Sequence, residues 1–138
     1  MNVLILGAGA VGGYFGGRLA QAGADLTFLV RPQRAQKLAQ TGLVIKSPLG
    51  DAEIPVRTVL RETVRPDYDL VILSCKAYDL DASIASIGAA VGPNTVILPL
   101  LNGMAHLARL DEAFGSARVL GGTCYIASTL EADGTIRH

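Results

Sequence analysis

A doubly wound α/β fold, with a mainly parallel sheet and helices on both faces, is what this sequence predicts. Three observations carry the prediction. Four short apolar runs recur, at residues 3–6, 26–30, 70–75 and 95–100. Each is followed by a stretch with helical spacing. The first strand-to-helix turn is crowded with glycine: Gly7-Ala8-Gly9-Ala10-Val11-Gly12.

None of the four runs alternates cleanly between apolar and polar residues. Continuous runs of this length suit strands buried on both faces by flanking helices. The helical stretches have recognisable stops. Residues 11–22 end at Gly23, and residues 32–40 begin with Pro32 near the first helical position and end before Gly42. Residues 80–91 end at Gly92-Pro93, and residues 104–114 end at Gly115. Strand followed by helix, repeated, is the order of a doubly wound sheet.

Two regions depart from this rhythm. Residues 43–46 and 53–56, joined through Ser47-Pro48-Leu49-Gly50-Asp51, read as a β-hairpin expected at the sheet periphery, where Pro55 is tolerable. Residues 119–126 read as a further strand. Residues 129–131 and 135–137, around Ala132-Asp133-Gly134, read as a second hairpin.

Composition narrows the function classes. The 138 residues suit one domain, 1–138, half of them are hydrophobic and 17% are charged, which supports a packed core. Twelve basic residues balance twelve acidic ones, so charge gives no case for nucleic acid or an anionic membrane. No apolar run is long enough to span a bilayer or resemble a signal peptide. Cys75 and Cys124 fit no metal or redox spacing and read as reduced thiols of a cytoplasmic protein. No acidic or His/Cys cluster has metal-ligand spacing. His106 lies in a predicted helix and His138 ends the chain, so neither is expected to pair with a Ser or Cys nucleophile. Tyr14 and Phe15 read as packing residues, and no Y-x-x-x-K pair is present.

The glycine turn carries the most chemistry. Residues 7–12 form a full G-x-G-x-x-G between a predicted strand and a predicted helix, the context in which the pattern signals dinucleotide binding. Gly7 allows the tight turn, Gly9 leaves the backbone open to a pyrophosphate, and Gly12 lets the helix approach the sheet. Ala8, Ala10 and Val11 complete the loop, and the free N–H groups of the first helical turn suit phosphate charge. The alternative is a glycine turn serving tight helix–sheet packing alone. Gly13, Gly16 and Gly17 each cost a helix about 1 kcal/mol relative to alanine, so something is expected to pack very close to it.

An NAD-binding turn has an acidic residue about 20 positions on, which accepts the ribose 2′-hydroxyl. Here Arg31 stands 19 positions beyond Gly12, while Asp25 is at the wrong end of its strand. A guanidinium suits a 2′-phosphate, and Arg34 could add a second, so NADP(H) is favoured over NAD(H). The alternative is that both arginines are solvated at a helix start.

Ligands of such sheets lie beyond the carboxyl ends of the strands. Lys76, in Ser74-Cys75-Lys76-Ala77-Tyr78-Asp79, is placed to meet a phosphate or ribose, or to pair with Asp79 at the surface. Asn102, before Gly103, could hydrogen-bond the nicotinamide ribose or a substrate oxygen, or simply form an Asn-Gly turn. Ser128, after Ile126-Ala127, is a candidate lining of the nicotinamide side.

The opening Met1-Asn2-Val3-Leu4-Ile5-Leu6 with its glycine turn, Arg31, Lys76-Ala77-Tyr78-Asp79 and Asn102-Gly103-Met104 together resemble the ketopantoate reductase (2-dehydropantoate 2-reductase) family. The tail, from Gly121-Gly122-Thr123 through Gly134-Thr135-Ile136-Arg137-His138, resembles it too. The resemblance implies a Rossmann-type domain and NADPH-dependent reduction of a 2-keto acid, ketopantoate to pantoate, in pantothenate and coenzyme A synthesis. It assigns the pyrophosphate to residues 7–12, the 2′-phosphate to Arg31, a cofactor contact to Lys76, and a place between nicotinamide and substrate to Asn102. Leu101 and Ala105 depart from the glutamine and glycine common there, which affects the shape of the nicotinamide pocket.

Members of that family carry a second, helical domain that supplies a lysine as general acid and a glutamate that orients substrate. No residue here can be given those roles, so no catalytic residue is expected in this chain. It reads as an isolated cofactor domain that turns over substrate negligibly by itself. Its expected partners are a keto-acid substrate, the helical domain and, in a homodimer, a second copy. Three other readings stand beside this one: a reductase of a different 2-keto acid, a free-standing NADP(H)-sensing module, and an FAD module, for which Arg31 is the wrong residue at the ribose.

Overall fold

The computed structural model describes residues 1–138. Its main sheet has five parallel strands in the order β5-β2-β1-β6-β7: β1 (Asn2–Leu6), β2 (Asp25–Leu29), β5 (Arg57–Val59), β6 (Leu70–Leu73) and β7 (Val96–Pro99). The chain starts in the centre, winds outward through α1 (Ala10–Gln21) to β2, then crosses to β6 on the other side of β1. This reversal opens a crevice at the carboxyl ends of β1 and β6, where α/β sheets bind ligands.

The apolar runs fill both faces of the sheet. Val3, Ile5, Phe28 and Ile72 belong to one core, which also takes Leu38 of α2 (Pro32–Thr41). Leu4, Leu29, Val71, Leu73 and Ile97 belong to the other, with Ile87 of α3 (Leu80–Ile87) and Leu110 of α4 (Ala105–Phe114). Neighbours in sequence point to opposite faces, so a doubly covered strand is apolar at nearly every inner position, with Thr27 of β2 the buried polar exception.

A second sheet corrects one expectation. β3 (Leu43–Lys46) and β4 (Ala52–Ile54) form the first hairpin, and β8 (Thr129–Leu130) and β9 (Ile136–Arg137) the second. Neither lies at the periphery of the main sheet. They join through a parallel β3–β9 pairing, with Ile45 opposite Ile136, into a separate sheet of order β4-β3-β9-β8. Its inward side chains Leu43, Ile45, Ile54 and Ile136 are buried against α1. The edge of the main sheet is taken instead by β5, which the sequence reading missed because three residues beginning Arg57-Thr58 offer no apolar run.

The strand expected over residues 119–126 does not form. Val119 makes one bridge to Ile97, and Leu120 N–H donates to Ile97 O at 2.9 Å. The next outward-facing donor on β7 would belong to Pro99, which has no N–H, so the ladder stops. Smaller differences are that β6 ends at Leu73, and that α3 ends at Ile87 with a 3₁₀ turn, Gly88–Ala90.

Candidate functional site

The glycine turn runs out of β1 into α1 at the crevice. Gly7 has φ +81°, a left-handed conformation that disfavours any side chain, and its N–H donates to Leu29 O at 2.8 Å. A Cβ on Gly12 would sit 2.5 Å from Ser74 Oγ and 2.9 Å from Gly7 O. A Cβ on Gly9 would meet nothing within 4 Å. The closeness of Gly12 is therefore a packing requirement. The openness at Gly9 faces space the protein does not fill.

α1 has no side-chain cap and no acidic residue in its first turn. The N–H groups of Ala10, Val11 and Gly12 have no protein acceptor, and the first helical N–H to be satisfied is that of Gly13, by Gly9 O at 2.8 Å. Uncapped donors and the positive end of the helix dipole form an anion site.

The other helical glycines have a separate explanation. A Cβ on Gly16 would sit 2.5 Å from Ile5 Cδ1 and 2.6 Å from the Phe28 ring of the main sheet. One on Gly17 would sit 2.7 Å from Leu43 Cδ2, and one on Gly13 would collide with Ile136. α1 is thus pressed between two sheets.

The cleft over the loop has a volume of about 590 Å³, within the range of small-molecule sites. Gly7 to Gly12 line it together with Arg31 and Arg34, Ser74, Cys75 and Asp79, and Ser83 and Ser86 of α3. Arg61 and Glu62, from the turn after β5, also line it. Three guanidinium groups face two carboxylates, so the cleft leans positive. Burial pushes the Cys75 thiol above its ordinary pKa, which keeps it protonated at neutral pH.

Arg31 is the N-cap residue of α2 and is exposed; its carbonyl accepts the Ala35 N–H at 3.0 Å, while its side chain makes no hydrogen bond or ion pair with the protein. Arg34 does something the sequence reading did not foresee. Its Nη2 donates to Ala8 O at 2.8 Å and to Gly134 O at 3.4 Å, tying the glycine turn to the second sheet. Burial lowers its pKa from the ordinary arginine value. Asp25 is at the amino end of β2, where it pairs with Arg57.

The strand-end residues are less gathered. Lys76 is exposed and does not pair with Asp79. Its Nζ lies 5.9 Å from the Tyr78 ring centroid. Asn102 is exposed on the turn after β7. Ser128 Oγ donates to Ala10 O at 2.9 Å, which ties the tail to the first turn of α1. None of the three lines the cleft itself. His138 departs from expectation, because its Nδ1 lies 2.8 Å from Ser47 Oγ. Ser47 Oγ also accepts the Leu49 N–H at 3.0 Å, and the His138 ring packs on Tyr14 at 4.4 Å, so the pair braces a turn.

A dinucleotide fits this donor set: unspent N–H groups over an unfilled glycine, with a free guanidinium at the end of the next strand. The sequence model of the ketopantoate reductase PanE/ApbA family matches residues 3–138. The chain belongs to that family. It is 45% identical, over its whole length, to the uncharacterized oxidoreductase YkpB of Bacillus subtilis (strain 168), of which it covers 45%. The 2-dehydropantoate 2-reductase of Geobacter metallireducens GS-15 superposes with a TM-score of 0.90 at 31% identity, covering 100% of this chain and 46% of that one. A D-mandelate dehydrogenase, solved with NADH and anilino(oxo)acetate, gives 0.90 at 27% identity, covering 99% and 45%. The chain thus spans just under half the length of these relatives, and the two solved ones share the Rossmann-type sheet described above over that length. No helix is long and apolar enough to cross a membrane.

Proposed function

We propose that residues 1–138 form the NADP(H)-binding domain of a 2-keto acid reductase, with ketopantoate as the favoured substrate. The observation that carries the cofactor reading is the pairing of an unpartnered Arg31 with the open glycine turn, on adjacent strand ends of one cleft. Ala10, Val11 and Gly12 would hold the diphosphate by their N–H groups, and Arg31 would hold the 2′-phosphate. When bound, the nicotinamide would supply the hydride that reduces the ketone.

Lys76 and Asn102 follow the carboxyl ends of β6 and β7, on the side of the sheet that the glycine turn opens onto. Lys76 is proposed to approach the cofactor, and Asn102 to orient both nicotinamide and substrate through its amide. Ser128 acts on that side indirectly, by holding Ala10. The general acid for the ketone is assigned to a second, helical domain, because no residue of the cleft described here suits that role. The substrate reading rests on family kinship, and the D-mandelate dehydrogenase likeness keeps other 2-keto acids in view.

Titration of the chain with NADPH and with NADH tests the cofactor reading. NADPH should bind at least tenfold more tightly, and Arg31→Asp should abolish the preference, since a bidentate phosphate contact is worth about 1.5–3 kcal/mol. Equal affinities for the two nucleotides in the unaltered chain would remove the role given to Arg31. The chain alone should reduce ketopantoate negligibly, because the reacting atoms need to be held within about 3.5 Å from both sides.

A further inference from the structure

The turn after β5 brings a second unspent guanidinium to the cleft. β2 and β5 run parallel in register, with Thr27 opposite Arg57, Phe28 opposite Thr58 and Leu29 opposite Val59. Val30 N–H donates to Val59 O at 3.1 Å, extending the pairing past the strand. Arg31 and Arg61 each stand two residues beyond the last paired position, and both line the cleft.

The remaining arginines show that this is not how the protein usually treats the residue. Arg18, Arg34, Arg57, Arg109, Arg118 and Arg137 all donate to protein oxygens. Arg31, Arg61 and Arg65 do not, and Arg65 is outside the cleft. Glu62 also lines the cleft yet pairs with neither guanidinium. Two like charges at neighbouring strand ends repel, and neither is held in a salt bridge by a protein carboxylate. A phosphate monoester carries about −1.5 to −2 charges at neutral pH, more than one guanidinium neutralises.

We propose that Arg61 is a second ligand of the 2′-phosphate, so that discrimination between NADPH and NADH is divided between Arg31 and Arg61. This rests on the NADP(H) reading above. It gives the short strand β5 a purpose, since its pairing with β2 places the second charge beside the first.

The experiment is calorimetric titration of the unaltered chain and of Arg31→Ala, Arg61→Ala and Arg61→Lys with NADPH and NADH. Arg61→Ala should weaken NADPH about tenfold, the lower end for a charge-assisted contact because the site is exposed. NADH affinity should hold steady, which also shows that the variant is folded. Arg61→Lys should recover part of the loss, since it keeps the charge without the fork. Equal weakening of both nucleotides would overturn the proposal, because Arg61 would then be stacking on the adenine or supporting the fold. Unchanged NADPH affinity in Arg61→Ala, with the preference lost in Arg31→Ala, would overturn it while leaving the cofactor reading intact. A lack of preference in the unaltered chain would remove both.

Discussion

Replacing Gly9 and Gly12 separately by alanine should dissociate binding from folding within one glycine turn. At Gly9 the added methyl meets no protein atom within 4 Å, and φ is −87°, which alanine adopts without strain. Gly→Ala at a compatible position stabilises by about 0.4–1 kcal/mol through the unfolded chain, whereas alanine is a poorer helix N-cap than glycine by a similar amount. The two nearly cancel. For 138 residues about 1 kcal/mol shifts Tm by roughly 3–4 °C, so Gly9→Ala should melt within about 2 °C of the unaltered chain. Its methyl would nevertheless hold a diphosphate off the N–H groups of α1. Losing two charge-assisted bonds at about 1.5–2 kcal/mol each raises Kd by roughly a hundred- to a thousandfold. At Gly12 the Ser74 hydroxyl can rotate away, but Gly7 O is backbone and stays 2.9 Å from the new methyl. Overpacking of this kind costs about 1–3 kcal/mol, or a Tm loss of roughly 4–10 °C. Differential scanning fluorimetry with and without NADPH reads both quantities. If Gly9→Ala melted as low as Gly12→Ala, or bound NADPH undiminished, the distinction between an open and a packed glycine would be wrong.

Three further outcomes follow from the same structure. Arg34→Ala removes the link between Ala8 O and Gly134 O and should cost about 1–2 kcal/mol, with faster amide hydrogen exchange in residues 7–12. Ile136→Ala empties a fully buried site against Gly13 and should cost about 2–5 kcal/mol, measured by urea denaturation, while leaving the NADPH preference over NADH in place. Asp51 has its pKa lowered chiefly by the Ser47 N–H, which donates to it at 3.0 Å, and by nearby Lys46. A carboxylate lowered in the folded state contributes stability above its unfolded pKa and loses it as pH falls through the folded one. The Ser47 amide resonance should therefore titrate below the ordinary aspartate range, and a midpoint at or above that range would contradict the turn geometry.

The sequence by itself determined the four core strands with the helices that follow them, the glycine turn and the position of Arg31 at a strand end. These are local properties. A strand buried on both faces is apolar at nearly every position, a turn needing φ > 0 needs glycine, and 19 residues after Gly12 the chain has run down a helix and back along a strand. Only the tertiary structure decided what surrounds α1. Gly13, Gly16 and Gly17 announced a close neighbour, but they could not say that there were two. One is the main sheet, through Ile5 and Phe28, and the other is a sheet assembled from hairpins more than 70 residues apart. Tertiary structure also ended the expected strand after Val119, where Pro99 of its partner lacks a donor. It gave Arg34 a carbonyl to hold in place of a ligand, and it set Arg61 beside Arg31 through the pairing of a three-residue strand with no hydrophobic signature. Strand partners, bond donors and charge neighbours are set by which distant segments meet, and no periodicity along the chain encodes that.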